Sequence, residues 1–411
     1  MKKIILSIVV ILVLTFLQCR SIIENNIVFN VNLDNCDTQI DLKLSDLIDS
    51  CRLVQLETTS ESILDNIDFI YVTDDLILIC DENGVYKFSG NGKFIKKIIR
   101  TGRGPGEISG YCIYHYYKEK DILFIANRMS SDDYILQYDI KSECFLTPVK
   151  KSFPVGWSDF IVYEDSLIMG SIEVAGFMPQ DPVPNPYALF IQNFEGDFIS
   201  GIISAKRLVY ENYEGLFQRM SIHTGDKFIH VKYSHDDTIF NLKDNVLSPY
   251  LIPVFKNGSN TPKLIPDGGT KHVGLGKFEN RTYMIFNLWE FVGWKDINGF
   301  ARAVSNYDFY LFNKSNGKYA QIESFNDDLI GKETEIEKSM RQIPGIPNSL
   351  PHGILYKLYF PHELINLDNQ ENSAFPKTLI SELDLIRDRI NETDNPILLI
   401  GAPKTKLLVL E

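Results

Sequence analysis

The side chains able to do chemistry are few and scattered. Seven histidines, His115, His223, His230, His235, His272, His352 and His362, include no pair at the HExxH spacing that sets two imidazoles on one helix face for a metal. No Gly-x-Ser-x-Gly elbow presents a nucleophilic serine. The most polar run, His235-Asp236-Asp237-Thr238, offers nitrogen and oxygen donors for a cation, but the favoured reading is a turn leading into a strand at Asp237–Phe240 (DTIF). Beyond Cys19, the cysteines Cys36, Cys51, Cys80, Cys112 and Cys144 lack the clustered spacing of a zinc site. Five is odd, so no complete disulfide framework is possible, and Cys80 and Cys112 read as small buried residues of strands.

Residues Lys93 to Ile108 read KFIKKIIRTGRGPGEI, with Gly102, Gly104, Gly106 and Pro105 making a tight loop. Arg100, Arg103 and Glu107 are its candidate ligand contacts. The arginines could face an anion beside exposed backbone N–H groups, or pair with Glu107 across the loop. A strand follows instead of a helix and the Lys-Ser/Thr ending of a P-loop is missing, so a phosphate site is not expected and a structural connection is the favoured reading. Aromatic residues make up 12% of the chain, more than a ligand site needs, so most of the Tyr and Phe are assigned to the core. Trp157, Trp289 and Trp294 are expected in or near loops, with Trp157 and Trp294 the candidate contacts for a sugar or peptide, because flat rings give contact area at low entropic cost.

Strands must position these residues. From Leu53 onward, short β-rich runs alternate with tight polar turns. One unit, strand–turn–strand, recurs around Asp74-Asp75, Lys118–Asp121, Glu164-Asp165, Gly225-Asp226 and Glu279-Asn280, at intervals of about 45 to 60 residues. A second hairpin follows most copies: Tyr86-Lys87-Phe88 to Gly92-Lys93-Phe94-Ile95, Leu189-Phe190-Ile191 to Gly196-Asp197-Phe198-Ile199, and Tyr310-Leu311-Phe312 to Gly317-Lys318-Tyr319. A weaker copy spans Tyr134 to Val149, with Ser142-Glu143 at its turn. Two hairpins make the four strands of a propeller blade. The expected fold is therefore all-β, a six-bladed β-propeller with blades near 67–98, 111–149, 158–202, 220–255 and 272–325, the sixth built from Pro396–Glu411 and Leu53–Glu57 so that both chain ends close the ring. Residues 326–395 break the repeat and are expected to be a helical insertion. Its clearest helix is Pro376–Ile390, with Leu379, Ile380, Leu383, Ile386 and Ile390 at helical spacing, and Asn326–Met340 is a weaker one.

The chain has 411 residues and a formal charge of −13, which argues against a nucleic-acid partner, since phosphate contacts need a basic surface. Its N-terminus carries Lys2-Lys3, an apolar run from Ile4 to Leu17 and then Cys19. That run is shorter than the roughly 20 residues needed to span a bilayer, so it reads as an export signal. The position of Cys19 resembles a bacterial lipobox, with Gln18 departing from the usual small residue. Residues 1–18 would be the lipoprotein signal peptide, Cys19 the lipidation site and residues 19–50 a polar tether with a first ordered segment. Residues 51–411 would form the propeller. Removing residues 1–18 with their two lysines leaves 393 residues and a formal charge of −15. Acyl chains on Cys19 would hold the protein on a membrane with no spanning helix.

The strand end followed by RTGRGPGE, together with VQLET (Val54–Thr58), DTIF, the Tyr310–Phe312 hairpin and NPILL (Asn395–Leu399), resembles the NHL-like six-bladed β-propeller lipoproteins of Gram-negative bacteria. The resemblance covers residues 50 to 411 and implies fold and envelope location, with no catalytic constellation to carry over. The expected function is that of an exported, lipid-anchored binding protein on the periplasmic face or cell surface. It would take a partner protein, peptide or glycan on one face of the ring, without a cofactor. The alternative is a calcium-dependent hydrolase or lactonase whose carboxylate and amide ligands, dispersed in sequence, converge at the mouth of the central channel.

Overall fold

The repeated outer hairpins turn on one backbone requirement. Gly92, Gly196 and Gly317 have φ of 87°, 90° and 74°, a region that side chains rarely adopt, and each stands at the same point of its Gly-Lys/Asp-aromatic turn. In the weaker copy Glu143 accepts a φ of 56° at this point, and its carboxylate reaches Lys87 (3.2 Å) and Lys96 of the preceding blade. The strain there is offset by a tie between blades.

The structure is a computed structural model that describes residues 28–33, 36–104, 106–108, 112–127, 134–153, 159–170, 173–174, 187–203, 217–218, 220–224, 229–233, 237–244, 246–254, 271–297, 300–339, 342–350, 353–365, 367, 373–406 and 410. It is an all-β propeller with few helices. Five blades are meanders of consecutive strands. The first holds Phe69–Val72, Leu76–Asp81, Gly84–Ser89 and Phe94–Thr101. The second holds Cys112–Tyr117, Ile122–Asn127 and Tyr134–Asp139, with the short Cys144–Phe145 and Val149–Lys150 both paired to the last. The third holds Asp159–Tyr163, Ser166–Gly170, Tyr187–Asn193 and Phe198–Ile203. The fourth holds Met220–Thr224, Ile229–Tyr233, Ile239–Lys243 and Val246–Val254, and the fifth Lys271–Glu279, Tyr283–Ile297, Phe300–Asn313 and Tyr319–Asp327.

The expected count of six blades is not supported. The remaining four-stranded sheet is composite, made of Asn348–Ser349, Leu355–Tyr359, Ile397–Pro403 and Ile48–Gln55, with a two-residue edge and strands from both ends of the chain. Its outer pairing, Leu53 opposite Leu399 and Val54 opposite Leu398, is the junction of the two chain ends that the sequence points to.

Upstream of this junction the chain straps two blade edges. Phe29–Asn32 adds a parallel strand to Val246–Val254, and Gln39–Lys43 adds one to Tyr319–Asp327. Both cover outer edges that would otherwise expose unpaired N–H and C=O groups. The inner strands are buried on both sides because each blade packs on its neighbours. Between blades one and two, Tyr71, Leu78, Cys80 and Val85 meet Tyr116, Leu123, Ile125 and Tyr138 in one apolar layer. Burying such a layer is worth roughly 25 cal/mol per Å² of apolar surface.

The stretch 326–395 is only partly helical. Lys377–Arg387 is a helix, with Leu379 and Leu383 buried one turn apart, as their spacing predicts. Asn326–Met340 is not. Lys332–Glu335 there is a strand antiparallel to Ser324–Asp327, and the Leu355–Tyr359 strand lies inside the composite sheet. The local helix propensity of KETEIEK yields to an open sheet edge that needs a partner.

Candidate functional site

The site begins where a sheet comes apart. In blade five, Tyr283–Ile297 and Phe300–Asn313 pair over their whole length, from Tyr283–Asn313 to Ile297–Phe300. Their neighbours stop short, since Lys271–Glu279 reaches only Glu290 and Tyr319–Asp327 pairs no further back than Phe309. Beyond Ile322 the latter strand goes on with Gln39–Lys43 and Lys332–Glu335 instead. Residues 291–306 therefore form a two-stranded ribbon that projects past both sheet neighbours. A bulge between Phe291 and Gly293 re-aims it at its base. Val292 and Val304 are exposed on it, although valine favours a packed strand surface.

A groove of about 430 Å³ opens where the ribbon leaves the sheet, lined among others by Asp308, Gln321, Glu323, Glu333, Glu335 and Lys338. The backbone N–H of Tyr307 donates to the Lys338 carbonyl at 2.6 Å and that of Ile336 to Glu323 at 3.1 Å, so the wall carrying Glu333 and Glu335 is fixed to the ribbon's base. Carboxylates outnumber cations in the groove, which favours a basic occupant.

The residues singled out from the sequence are not brought together. Trp294 lies in the Tyr283–Ile297 strand, on the ribbon, and Trp289 lies in the same strand below it, so neither is in a loop. Both continue a long strand pairing that local sequence does not announce. Cys19, Trp157, His235, Asp236 and His352 lie outside the described residues. Arg100 is exposed near the end of the Phe94–Thr101 strand, in parallel register with Glu107, and Arg103 is exposed in the loop, but neither guanidinium forms an ion pair with the Glu107 carboxylate. The Glu107 side chain folds into its own loop, where Oε2 accepts the Gly104 N–H at 2.7 Å. A Cβ on Gly102 would sit 2.0 Å from that oxygen, so glycine is required for the carboxylate to approach. The loop's anion position is filled by the chain itself.

Asp237 of DTIF is buried, and its carboxylate accepts the Val273 N–H at 3.1 Å, tying blade four to blade five. Cys80 is fully buried and Cys112 half-buried, both in strands. Burial pushes the Cys80 thiol well up and the Cys112 thiol to about 11, which leaves both poor nucleophiles. None of the five described cysteines, Cys36, Cys51, Cys80, Cys112 and Cys144, is in a disulfide.

Two buried charge clusters escape any reading of local spacing. His230 Nδ1 lies 3.0 Å from Glu279 Oε2, and Lys314 Nζ lies 2.9 Å from Glu279 Oε1. The His230 ring stacks on Tyr250 with centroids 4.8 Å apart, and the Glu279 N–H donates to Ser349 Oγ at 2.8 Å. Burial alone would push the Glu279 carboxyl up, but His230 and Lys314 together hold it down at about 2. In the second cluster Lys357 pairs with Asp327, whose other oxygen accepts from the Tyr359 hydroxyl at 3.1 Å. Among the described residues, no three His, Cys, Asp or Glu side chains converge as a metal site, and the possible calcium ligands at the channel mouth stay unassigned.

Comparison with known proteins places the chain among propeller-like folds. A family model described as a domain of unknown function matches residues 27–402. A Bacteroides fragilis NCTC 9343 protein described as exported superposes with a TM-score of 0.55 at 15% identity, over 92% of this chain and 99% of that one. A member of the DUF4221 family from Bacteroides vulgatus ATCC 8482 gives 0.50 at 11% identity, over 87% and 97%. At these identities the likeness is one of fold. No curated protein matches in sequence. No helix among the described residues is long and apolar enough to cross a membrane.

Proposed function

This chain belongs to the DUF4934 family, and from that premise we propose that it is an exported, lipid-anchored propeller that binds a partner protein or peptide through the ribbon of residues 291–306 and the acidic groove at its base. The observation that carries the reading is the ribbon. Among the described residues, the two strands have no sheet partner beyond each other over this stretch and expose two valines, at a cost in burial that a purely structural hairpin has no reason to bear. Such edges accept an added strand from a partner, with main-chain hydrogen bonds giving affinity and neighbouring pockets selecting side chains. The acidic groove selects a partner segment carrying Lys or Arg. A glycan is less favoured, because the partner surface here is an open strand edge. The NHL-like resemblance and the anchor at Cys19 belong to the same proposal, supported by the motifs and by exported proteins among the structural neighbours.

Shortening the ribbon tests the reading. Phe291 and Ser305 are cross-strand partners, so replacing residues 292–304 by Asn-Gly closes the hairpin with a two-residue turn. Cross-linking in intact cells should recover a partner with the native chain and at least about tenfold less of it with the shortened one, the thermal midpoint staying within about 2 °C. Recovery of the same partners at equal yield would refute the ribbon's role. Cys19→Ala should move the protein from the membrane fraction to the soluble one. If the mutant still sediments with membranes after a high-salt wash, lipidation at Cys19 is not the anchor.

A further inference from the structure

The strap fixes where an anchor would pull. Phe29 is ten residues after Cys19, a reach of at most about 35 Å for extended chain. Phe29–Asn32 runs parallel to Val246–Val254 with Phe29 opposite Leu251, so the chain comes into Phe29 from the Val246 end. Phe29 also packs on Phe312, with ring centroids 5.0 Å apart, and a Cβ on Gly317 would lie 3.0 Å from its ring. The tether thus arrives beside the turn 314–318 of blade five.

That turn shares its end of the sheet with three other segments. The Lys314 N–H donates to Thr282 O at 2.6 Å, joining the turn at 280–282. The Asn280 amide donates to Lys404 O at 3.1 Å, and the Asn316 amide to Leu410 O at 3.0 Å, bringing in the C-terminal residues. Strands reverse at each turn, so the Ile297–Phe300 pair at the far end of the ribbon lies at the opposite end of blade five from 280–282 and 314–318.

From this we infer that the sector formed by Val28, Lys243, Asp244, Val246 and the segments 280–282, 314–318 and 404–406 rests on an anionic lipid surface, with the ribbon directed away from it. The inference rests on the lipid-anchored reading above. Two further observations carry it. Val28, which precedes the strap, and Val246, at the end of the neighbouring strand from which the chain comes, are 39% and 63% exposed, which suits shallow contact with the acyl boundary. Among the described residues, the sector bears Lys243, Arg281, Lys318, Lys404 and Lys406 against exposed Asp37 and Asp244, an excess of cations in a chain whose net charge is −13. Clustered cations beside an anchor are attracted to anionic headgroups within a Debye length. The ring would then present its partner-binding ribbon to the aqueous side.

The test uses the full-length lipidated protein in phosphatidylcholine vesicles with about 30% phosphatidylglycerol. In a Cys144→Ser background, a fluorophore is placed on Val246→Cys, Lys406→Cys or Val304→Cys and quenched by doxyl-labelled lipid. Labels at 246 and 406 should be quenched at least about twice as strongly as the label at 304, and omitting phosphatidylglycerol should reduce the difference. A protein that floats with its vesicles while all three labels quench equally, or with 304 quenched most, overturns the orientation and leaves the anchor standing. A protein that does not float overturns the anchor, and the orientation with it.

Discussion

Glu279→Gln is expected to lower the free energy of unfolding by about 3 to 5 kcal/mol, the cost of breaking a buried ion pair from one side. The carboxylate is shared by the His230 imidazole from blade four and the Lys314 ammonium of its own blade, while its backbone N–H reaches Ser349 in the composite sheet. Removing the negative charge leaves the Lys314 ammonium, whose side chain is 6% exposed, without its carboxylate. The pH dependence has the same origin. The folded-state value is depressed from 4.5 to about 2, so the stabilisation is complete above about pH 5 and is lost as pH falls toward 2. The depression corresponds to about 3 kcal/mol. Urea unfolding at pH 7 and pH 3 provides the measurement. The native chain should lose stability between the two, and Glu279→Gln should lose less. A variant with Glu279→Leu, Lys314→Met and His230→Phe together should recover most of the loss, because an apolar replacement strands no charge. A loss below about 1 kcal/mol for Glu279→Gln would mean that water reaches the cluster and screens it.

This cluster also shows where sequence reading stops. Its members are 49 and 35 residues apart, and the three sheets that they join come into contact only when the ring closes. No local period records such a meeting. The hairpin turns are local, and the glycines at 92, 196 and 317 mark them because the outer turns of the first, third and fifth blades impose the same backbone conformation. The helix at Lys377–Arg387 is legible for the same reason, as its buried face repeats within one segment. Asn326–Met340 misleads because its charged residues carry helix propensity, while the edge of Tyr319–Asp327 supplies pairing that only the tertiary structure reveals. The ribbon is hidden in the same way. Trp289 and Trp294 stand among polar and glycine residues that read as loop, and the fourteen cross-strand pairs between Tyr283–Ile297 and Phe300–Asn313 decide otherwise. Blade number follows meander continuity instead of residue count, and the composite sheet breaks that continuity.

The second large effect is expected at Asn395, where two motifs noticed separately in the sequence turn out to be one device. VQLET and NPILL are paired strands, and Asn395, 2% exposed, ties the loop that follows the first to the start of the second. Its amide donates to Glu57 O at 2.9 Å and Ser62 O at 2.7 Å, and its Oδ1 accepts the Leu64 N–H at 2.9 Å. Asn395→Ala removes all three at once and leaves two carbonyls and an N–H in a site with little water, a loss of about 3 kcal/mol. Asn395→Asp keeps the acceptor but loses both donors and buries a charge, so it should be no better, whereas a packing defect alone would spare this near-isosteric change. The two large effects should differ in reach. Glu279 lies among three sheets, so its loss lowers global stability. Asn395 secures the outer pairing of the composite sheet, Ile48–Gln55 with Ile397–Pro403, so its loss should appear first as local opening. Hydrogen exchange should therefore quicken in Ile48–Gln55 and Ile397–Pro403 before it does in Leu76–Asp81. Uniform acceleration across all blades would show that the junction of the two chain ends and the rest of the ring open as one unit.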